Sequence, residues 1–379
     1  MTSVPESLPA PGRLGDWNMS LGTDPRADPR LVSALTPFGM DRNDTPGQIT
    51  PASALQDRFR HVLDVVEPGN EALYNGLFDG IEPVPGVDRS ERSFTTSDGA
   101  TITLYISRPA GQNETAPGVL QIHGGAMVFL TAQTATYARQ RDELAAAGMV
   151  ALGVDYRTAG GVRGNFAYPT PLDDCLAAVS WIAEREDELG ISGLVLTGDS
   201  GGANLALATA LRAKAADTLH QFAGVYAICP YISGAALWNR ERRATELPSW
   251  IENDGYYYCA ENTAVLVTLW DPTGENAENP FAWPYFASAD DVRGLPPHVI
   301  TVAELDPVRD EGLAYYRTLM AAGVDARAST MHGMCHVADL MMHRYIPDLC
   351  AQSIADIRVF ADHAIAGQAA GRGSRGATR

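Results

Sequence analysis

A serine flanked by glycines is the first candidate for chemistry in this sequence. Ser200 lies in Gly-Asp-Ser-Gly-Gly at 198–202, directly after the apolar run 193–197 and before the Ala/Leu-rich pattern 203–216. A strand that turns this sharply into a helix holds the serine in a strained conformation at the carboxyl edge of a sheet, and the glycines keep side chains out of the turn. The sequence therefore predicts a nucleophile elbow at Ser200.

A serine hydroxyl needs a base, and the histidines best placed for this role share one loop. His332 and His336 both follow the strand predicted at 326–331, which places them at the same sheet edge as Ser200. The remaining downstream histidines begin a strand or fall in or near helices: His220, His298, His343 and His363. These patterns leave the choice between His332 and His336 open.

The carboxylates that could orient the base follow the strand predicted at 298–304. Asp306 leaves this strand just before a turn, and Glu304 ends it. Asp310 and Glu311 suit the first turn of the next helix, where carboxylates are common without catalysis. The pattern favours Asp306 as the acid.

The third component is a loop that could bind an oxyanion. The strand predicted at 118–123 ends in His-Gly-Gly-Ala at 123–126, where small residues let backbone N–H groups approach a substrate oxygen. The N–H of Gly201 would complete the site. Nucleophile, base, acid and oxyanion loop together predict acyl-transfer chemistry.

The elements that position these residues alternate between short apolar strands and helical patterns. The predicted strands are 101–107, 118–123, 149–156, 193–198, 224–230, 298–304 and 326–331. The predicted helices between and after them are 135–147, 172–189, 203–216, 310–322 and 347–365. This alternation predicts an α/β protein with a mostly parallel sheet flanked by helices.

Two segments do not fit this alternation. Residues 1–90 are rich in Pro, Asp and Gly, with helical patterns near 31–37 and 52–80, and residues 233–287 are dense in aromatics without a strand pattern. We interpret both segments as a helical cap over the sheet edge. The predicted division of the chain is an N-terminal cap segment at 1–90, core at 91–232, a helical cap insertion at 233–287, core at 288–367 and a disordered tail at 368–379.

The composition excludes several kinds of partner. With 379 residues, 45% of them apolar and a formal net charge of −18, the chain can bury a large core but lacks the basic surface that nucleic acid or anionic membranes require. No signal-peptide or membrane-spanning pattern is present, so we expect a cytoplasmic protein. The five cysteines lack any C-x-x-C spacing and predict neither disulfides nor a metal site.

Four motifs resemble the hormone-sensitive-lipase-like esterases, α/β-hydrolases whose signatures read HGGG and GDSAG. They are the sequences at 123–126 and 198–202, Asp306-Pro307 with the Arg-Asp-Glu-Gly that follows at 309–312, and Gly-Met-Cys-His at 333–336. The resemblance implies the α/β-hydrolase fold and no cofactor or metal. It also implies that Asp306 is the acid and His336 the base, with His332 outside the motif.

The resemblance assigns the oxyanion donors to Gly125, Ala126 and Gly201. His123 and Gly124, with Asp199 of the serine motif, are expected to support that loop. Ala126 stands where the family usually has a third glycine, which implies a stiffer or narrower loop. Gly201 replaces the common alanine and leaves the donor N–H intact.

The implied activity is that of a serine carboxylesterase acting on neutral, fairly hydrophobic esters or lactones through an acyl-enzyme on Ser200. Hydrolysis of a thioester, amide or carbonate, and noncatalytic ligand binding on the same fold, are the alternatives. We expect the pocket to be lined by residues that include Met127, Trp238 and Tyr256. The resemblance also implies that the protein can form a homodimer.

Overall fold

The core of the protein is one eight-stranded sheet, seen in a computed structural model that describes residues 13, 16 and 18–376. Its strand order is β1-β2-β4-β3-β5-β6-β7-β8, and β2 pairs antiparallel with both β1 and β4. The pairs from β4 onward are parallel. The strands are β1 Val87–Thr95, β2 Thr101–Pro109, β3 Ala116–Ile122, β4 Val150–Asp155, β5 Ile191–Asp199, β6 Gly224–Ile228, β7 His298–Ala303 and β8 Ala326–Met331.

The helices flank this sheet. Every residue of β4 and β6 is buried, and because successive side chains of a strand point to opposite faces, both faces must be covered. The helices are α1 Pro29–Leu35, α2 Leu55–His61, α3 Glu67–Phe78, α4 Ala135–Ala146, α5 Thr170–Ala183, α6 Glu186–Leu189, α7 Gly201–Ala215, α8 Arg240–Glu246, α9 Ser249–Glu252, α10 Ala260–Trp270, α11 Ala289–Val292, α12 Arg309–Ala321, α13 Ala338–Met341 and α14 Pro347–Gly376. The predicted α/β class, with its mostly parallel sheet, is confirmed.

The N-terminal segment and the 233–287 insertion contact each other. A π-helical segment, Val62–Val66, joins α2 to α3, and α2 packs against α10 of the insertion. The carboxylate of Asp44 accepts hydrogen bonds from the backbone of Cys259 and the side chain of Asn262, each 2.9 Å long. These contacts join two parts of the chain that are far apart in sequence.

Strand β1 was missed by the sequence patterns. Its sequence, Val-Asp-Arg-Ser-Glu-Arg-Ser-Phe-Thr, has almost no buried residue apart from Phe94, so the apolar alternation that marks a strand is absent. It forms the sheet edge by pairing with β2. It begins at Val87, within the segment 1–90 that the sequence assigns to the cap.

The last helix is longer than expected. α14 continues to Gly376, so the part of the predicted tail at 368–376 is helical, and residues 377–379 lie outside the described residues. Gln368 donates to the backbone carbonyls of His220 and Phe222 at 3.2 and 2.8 Å. This anchor, with alanines that favour helix, extends the helix beyond the predicted end. Within the described part of the chain, no helix combines the length and the apolar character needed to cross a bilayer.

Candidate active site

Ser200 occupies a tight turn between β5 and α7. Its backbone has φ 52° and ψ −118°, which is unfavourable for a residue with a side chain. Its N–H donates to the carbonyl of Ile228 at the end of β6, at 2.9 Å, and its carbonyl accepts from the N–H of Tyr231 at 3.2 Å. These two bonds hold the turn against the neighbouring strand.

The glycine at position 202 is required by close packing. A Cβ atom on Gly202 would overlap the carbonyl oxygen of Ile122, at the end of β3. Only glycine lets the first turn of α7 approach the next strand this closely. The sequence prediction of a strand, a sharp turn and a helix around Ser200 therefore agrees with the local structure.

His336 and Asp306 form a buried pair beside Ser200. His336 lies in the loop between β8 and α13, and Asp306 lies between β7 and α12. The Nδ1 atom of His336 is 2.7 Å from Oδ2 of Asp306, and the two side chains are 7% and 0% exposed. Ser200 and His336 line the same cavity. The structure thus brings together the three residues that the motifs select.

The charges around His336 increase its basicity. Burial by itself would lower the pKa of His336, but the Asp306 carboxylate, through its charge and its hydrogen bond, raises that pKa above its usual value. Asp199 and Glu311 add to the increase. A histidine in this environment can accept a proton from a serine and hold it next to a carboxylate.

His332, the other candidate base, faces solvent. Its side chain is 80% exposed, and its Nδ1 lies 3.2 Å from the carboxylate of Glu304. The same carboxylate also accepts the N–H of Gly333, at 2.9 Å. His332 does not line the cavity that contains Ser200, so the structure separates the two histidines that the sequence patterns left open.

The loop after β3 places backbone groups next to Ser200. Gly125 and Ala126 both line the Ser200 cavity, and both have positive φ, 89° and 54°. A Cβ atom on Gly201 would lie 2.7 Å from Cα of Ala126 and 2.6 Å from the backbone nitrogen of Met127. The loop therefore lies so close to α7 that an alanine at 201, common in the family, does not fit without a shift.

The residues expected to support the loop after β3 form buried contacts around it. The ring of His123 stacks on Tyr156, with centroids 4.1 Å apart, and burial lowers the pKa of His123 to about 3, so the imidazole is neutral at pH 7. The hydroxyl of Tyr137 accepts the N–H of Gly124 at 2.9 Å and donates to the Asp199 carboxylate at 3.2 Å. Burial raises the pKa of Asp199 to about 7.

The cavity around Ser200 has a volume of about 380 Å³ and a mixed lining. Most of its apolar side chains come from the segment that joins α2 to α3, from the loop after β3, and from α10. They include Val65, Val66, Phe129, Val265 and Leu266. Several tyrosines also line it: Tyr74, Tyr137, Tyr231, Tyr257 and Tyr258. Both predicted cap segments therefore contribute to the wall of this cavity.

Three predictions for the pocket lining are corrected, because Met127, Trp238 and Tyr256 are not among the lining residues. Met127 is fully buried within the packed loop, where its carbonyl accepts the N–H of Ala159. Trp238 lies under the guanidinium of Arg242, 3.7 Å from the ring centroid.

Tyr256 points away from the cavity, and its hydroxyl donates to the Asp24 carboxylate at 2.9 Å. The sequence pointed to the aromatic insertion but selected the wrong member of the run 256–258. Tyr257 and Tyr258, the two members of this run that line the cavity, follow it directly. Tyr257 has a φ of 70°, so this irregular segment has no period from which side-chain direction could be deduced.

The fold and the site together have the arrangement of a serine hydrolase: a serine in a sharp turn after a central parallel strand, with an aspartate and a histidine on later loops in the order serine, aspartate, histidine. The model of a family with the alpha/beta hydrolase fold matches residues 119–340. The chain belongs to this family.

The chain's known relatives include esterases. It resembles the solved structure of brefeldin A esterase, described as a bacterial homologue of human hormone-sensitive lipase, with a TM-score of 0.89 and 43% identity over 94% of this chain and 98% of that one. Esterase Est22 gives a TM-score of 0.81 at 31% identity over 90% and 99%. Esterase LipI of Mycobacterium tuberculosis is 30% identical over 61% of this chain and 66% of that protein. The expected resemblance to hormone-sensitive-lipase-like esterases is confirmed.

Proposed function

We propose that this protein is a serine carboxylesterase that hydrolyses neutral, fairly hydrophobic esters or lactones. The observation that carries the proposal is the buried His336–Asp306 pair, 2.7 Å between Nδ1 and Oδ2, whose histidine lines the cavity that also contains the strained Ser200. The names of the relatives support ester hydrolysis.

In the proposed reaction, Nε2 of His336 takes the hydroxyl proton as Oγ of Ser200 attacks the ester carbonyl carbon. The N–H groups of Gly125, Ala126 and Gly201 stabilise the negative charge on the carbonyl oxygen. The C–O bond to the alcohol then breaks, and the alcohol leaves with the proton from His336. Water repeats these steps on the acyl-enzyme, which releases the acid and regenerates the serine.

The cavity supports the proposed substrate class. Aliphatic side chains from both predicted cap segments line the cavity that contains Ser200, and each buried CH₂ group of a substrate contributes about 0.8 kcal/mol. Asp44 also lines the cavity, and its carboxylate disfavours a carboxylate on the substrate. The likeness to an esterase named for brefeldin A, a macrocyclic lactone, supports including lactones.

We also propose that the protein works in the cytoplasm. The five cysteines are buried free thiols, which is the usual state in a reducing compartment.

The test of the proposed activity is the variant Ser200→Ala. Turnover of p-nitrophenyl butyrate should fall by about 10⁴- to 10⁶-fold, because binding and the oxyanion donors alone then remain. The circular dichroism spectrum and the melting temperature should stay close to those of the unmodified protein.

A covalent probe and a matched control make this test specific. An organophosphate ester should add one phosphoryl group to Ser200 of the unmodified protein, detected by peptide mass spectrometry, and none to the variant. Ser180→Ala removes a serine of α5 outside the cavity and should keep full activity. Substantial turnover by Ser200→Ala would refute the proposed nucleophile.

A further inference from the structure

The second oxygen of the Asp306 carboxylate has its own donors. While Oδ2 bonds to His336, Oδ1 accepts the hydroxyl proton of Tyr258 at 2.9 Å and the N–H of Val308 at 3.0 Å. Val308 lies two residues further along the same loop. Tyr258 comes from the 233–287 insertion, 48 residues earlier in the chain, so a cap segment reaches the carboxylate that orients the proposed base.

Tyr258 also touches the imidazole itself. Its ring stands edge-on to the His336 ring, with centroids 5.2 Å apart and an interplanar angle of 85°. Edge contacts with Trp250 and Tyr257, both at 6.1 Å, hold the phenol ring in this orientation. One side chain therefore contacts both members of the His336–Asp306 pair.

We propose that Tyr258 is a positioning residue of the catalytic centre, which fixes the Asp306 carboxylate through its hydroxyl and the His336 imidazole through its ring edge. This inference rests on the proposed function. In this proposal, the 233–287 insertion positions the His336–Asp306 pair and also forms part of the wall of the substrate cavity. Burial and the Asp306 charge raise the pKa of Tyr258, so its hydroxyl stays a donor throughout the working pH range.

The hydrogen bond has a predictable effect on proton transfer. A donor on Oδ1 withdraws negative charge from the carboxylate and so weakens its attraction for the protonated imidazole. Removing that donor should raise the pKa of His336 and leave the carboxylate less firmly oriented. The other groups that act on His336 are unchanged by such a substitution: Asp199 at the end of β5, Glu311 on α12, Asp339 on α13, and the thiols of Cys229 and Cys335 beside the pair.

Two neighbouring tyrosines provide a matched experiment. Tyr258→Phe and Tyr256→Phe each remove one 2.9 Å hydrogen bond from a phenol to an aspartate, the first to Asp306 and the second to Asp24. Both substitutions keep the ring and lie in the same segment. Tyr256 does not line the cavity. Comparison of the two variants therefore separates the effect of losing a buried hydrogen bond from the effect of losing catalytic positioning.

We expect Tyr258→Phe to lower kcat for p-nitrophenyl butyrate about tenfold or more, with KM within about twofold. The acidic limb of kcat/KM should move to higher pH by about half a unit. Tyr256→Phe should lower the melting temperature, keep kcat within about twofold, and leave the acidic limb in place. A Tyr258→Phe profile that matches Tyr256→Phe in kcat and in the acidic limb would overturn the proposal.

A second readout does not depend on activity. The ring protons of His336 can be titrated by NMR in Ser200→Ala and in Ser200→Ala/Tyr258→Phe, and the second protein should show the higher pKa. Equal pKa values would overturn the role of Tyr258 whatever the kinetics show. If the unmodified protein hydrolyses no ester but the NMR shift is present, the proposed function fails and the link from Tyr258 to the pair stands.

Discussion

His336 and His332 are four residues apart in the sequence, yet they have opposite environments. His336 is buried against Asp306, whereas His332 is 80% exposed. A general base needs hydrogen-bond contact with both the nucleophile and the orienting acid. Position in the fold, rather than residue type, therefore decides which of the two can serve.

The first prediction at the residue scale separates these histidines. His336→Ala should reduce kcat for p-nitrophenyl butyrate about as much as Ser200→Ala, by about 10⁴-fold or more, because no group is left to take the serine proton. His332→Ala should keep most of the activity, since it loses only an exposed contact with Glu304. The reverse result would place the base at 332.

The pH profile follows from the same residue. The pKa of His336 is raised above its usual value of about 6.5, and the protonated ring cannot accept the serine proton. The rate is therefore present above the folded pKa and is lost as pH falls through it, so the acidic limb of kcat/KM should lie above pH 6.5. A rate that is unchanged down to pH 5 would contradict His336 as the base.

At the scale of elements, Glu67 joins the predicted N-terminal cap segment to the loop after β3. It is the first residue of α3 and is 1% exposed. Its carboxylate accepts the N–H of Leu130, in the loop after β3, and the N–H of Val162, in the loop after β4. Both hydrogen bonds are 2.8 Å long. One side chain thus joins α3 to the loops that follow β3 and β4.

The prediction at this scale concerns removal of that carboxylate. Glu67→Ala leaves two backbone donors without their partner, which should lower the free energy of unfolding by about 2–4 kcal/mol and reduce kcat by loosening the loop. Glu71→Ala, one turn later on the same helix at an exposed position, should change the free energy of unfolding by less than about 0.5 kcal/mol. Urea unfolding of both variants tests this prediction. Equal stabilities of the two variants would show that the Glu67 carboxylate does not stabilise the two loops.

At the scale of the whole molecule, charge and cavity act together on substrate choice. The formal net charge is −18, and the carboxylate of Asp44 lines the cavity. An anionic substrate is repelled at long range and loses hydration in an apolar enclosure. A neutral substrate with a longer chain gains buried area instead.

We predict that kcat/KM for p-nitrophenyl esters rises by up to about fourfold per added CH₂ until the 380 Å³ cavity is filled. A charged hemiester should be slower than a neutral ester of equal length. Added salt should recover only part of this difference, because it screens the distant charges more than the Asp44 carboxylate inside the cavity. Faster turnover of the hemiester, or acceptance of acetate alone, would contradict the apolar pocket and leave the nucleophile unaffected.

The sequence alone was sufficient wherever a local pattern carries the information. The elbow around Ser200 follows from packing restrictions on adjacent residues, and the strands from 101 onward follow from apolar runs between helical patterns. The sequence patterns did not predict strand β1, because its residues are mostly exposed and its place in the sheet depends on pairing with β2. Edge strands of this kind have little side-chain signal, because backbone hydrogen bonds to a neighbour provide much of their stability.

The tertiary structure alone decided which distant residues reach the proposed catalytic centre. The sequence indicated an aromatic insertion but not that Tyr258, rather than Tyr256, contacts Asp306 and His336. It gave no sign that Glu67 would accept hydrogen bonds from loops 63 and 95 residues away. In irregular segments no period fixes the direction of a side chain, so its partner is set by how separate elements pack, whereas the motif residues are fixed by the backbone of the elements that carry them.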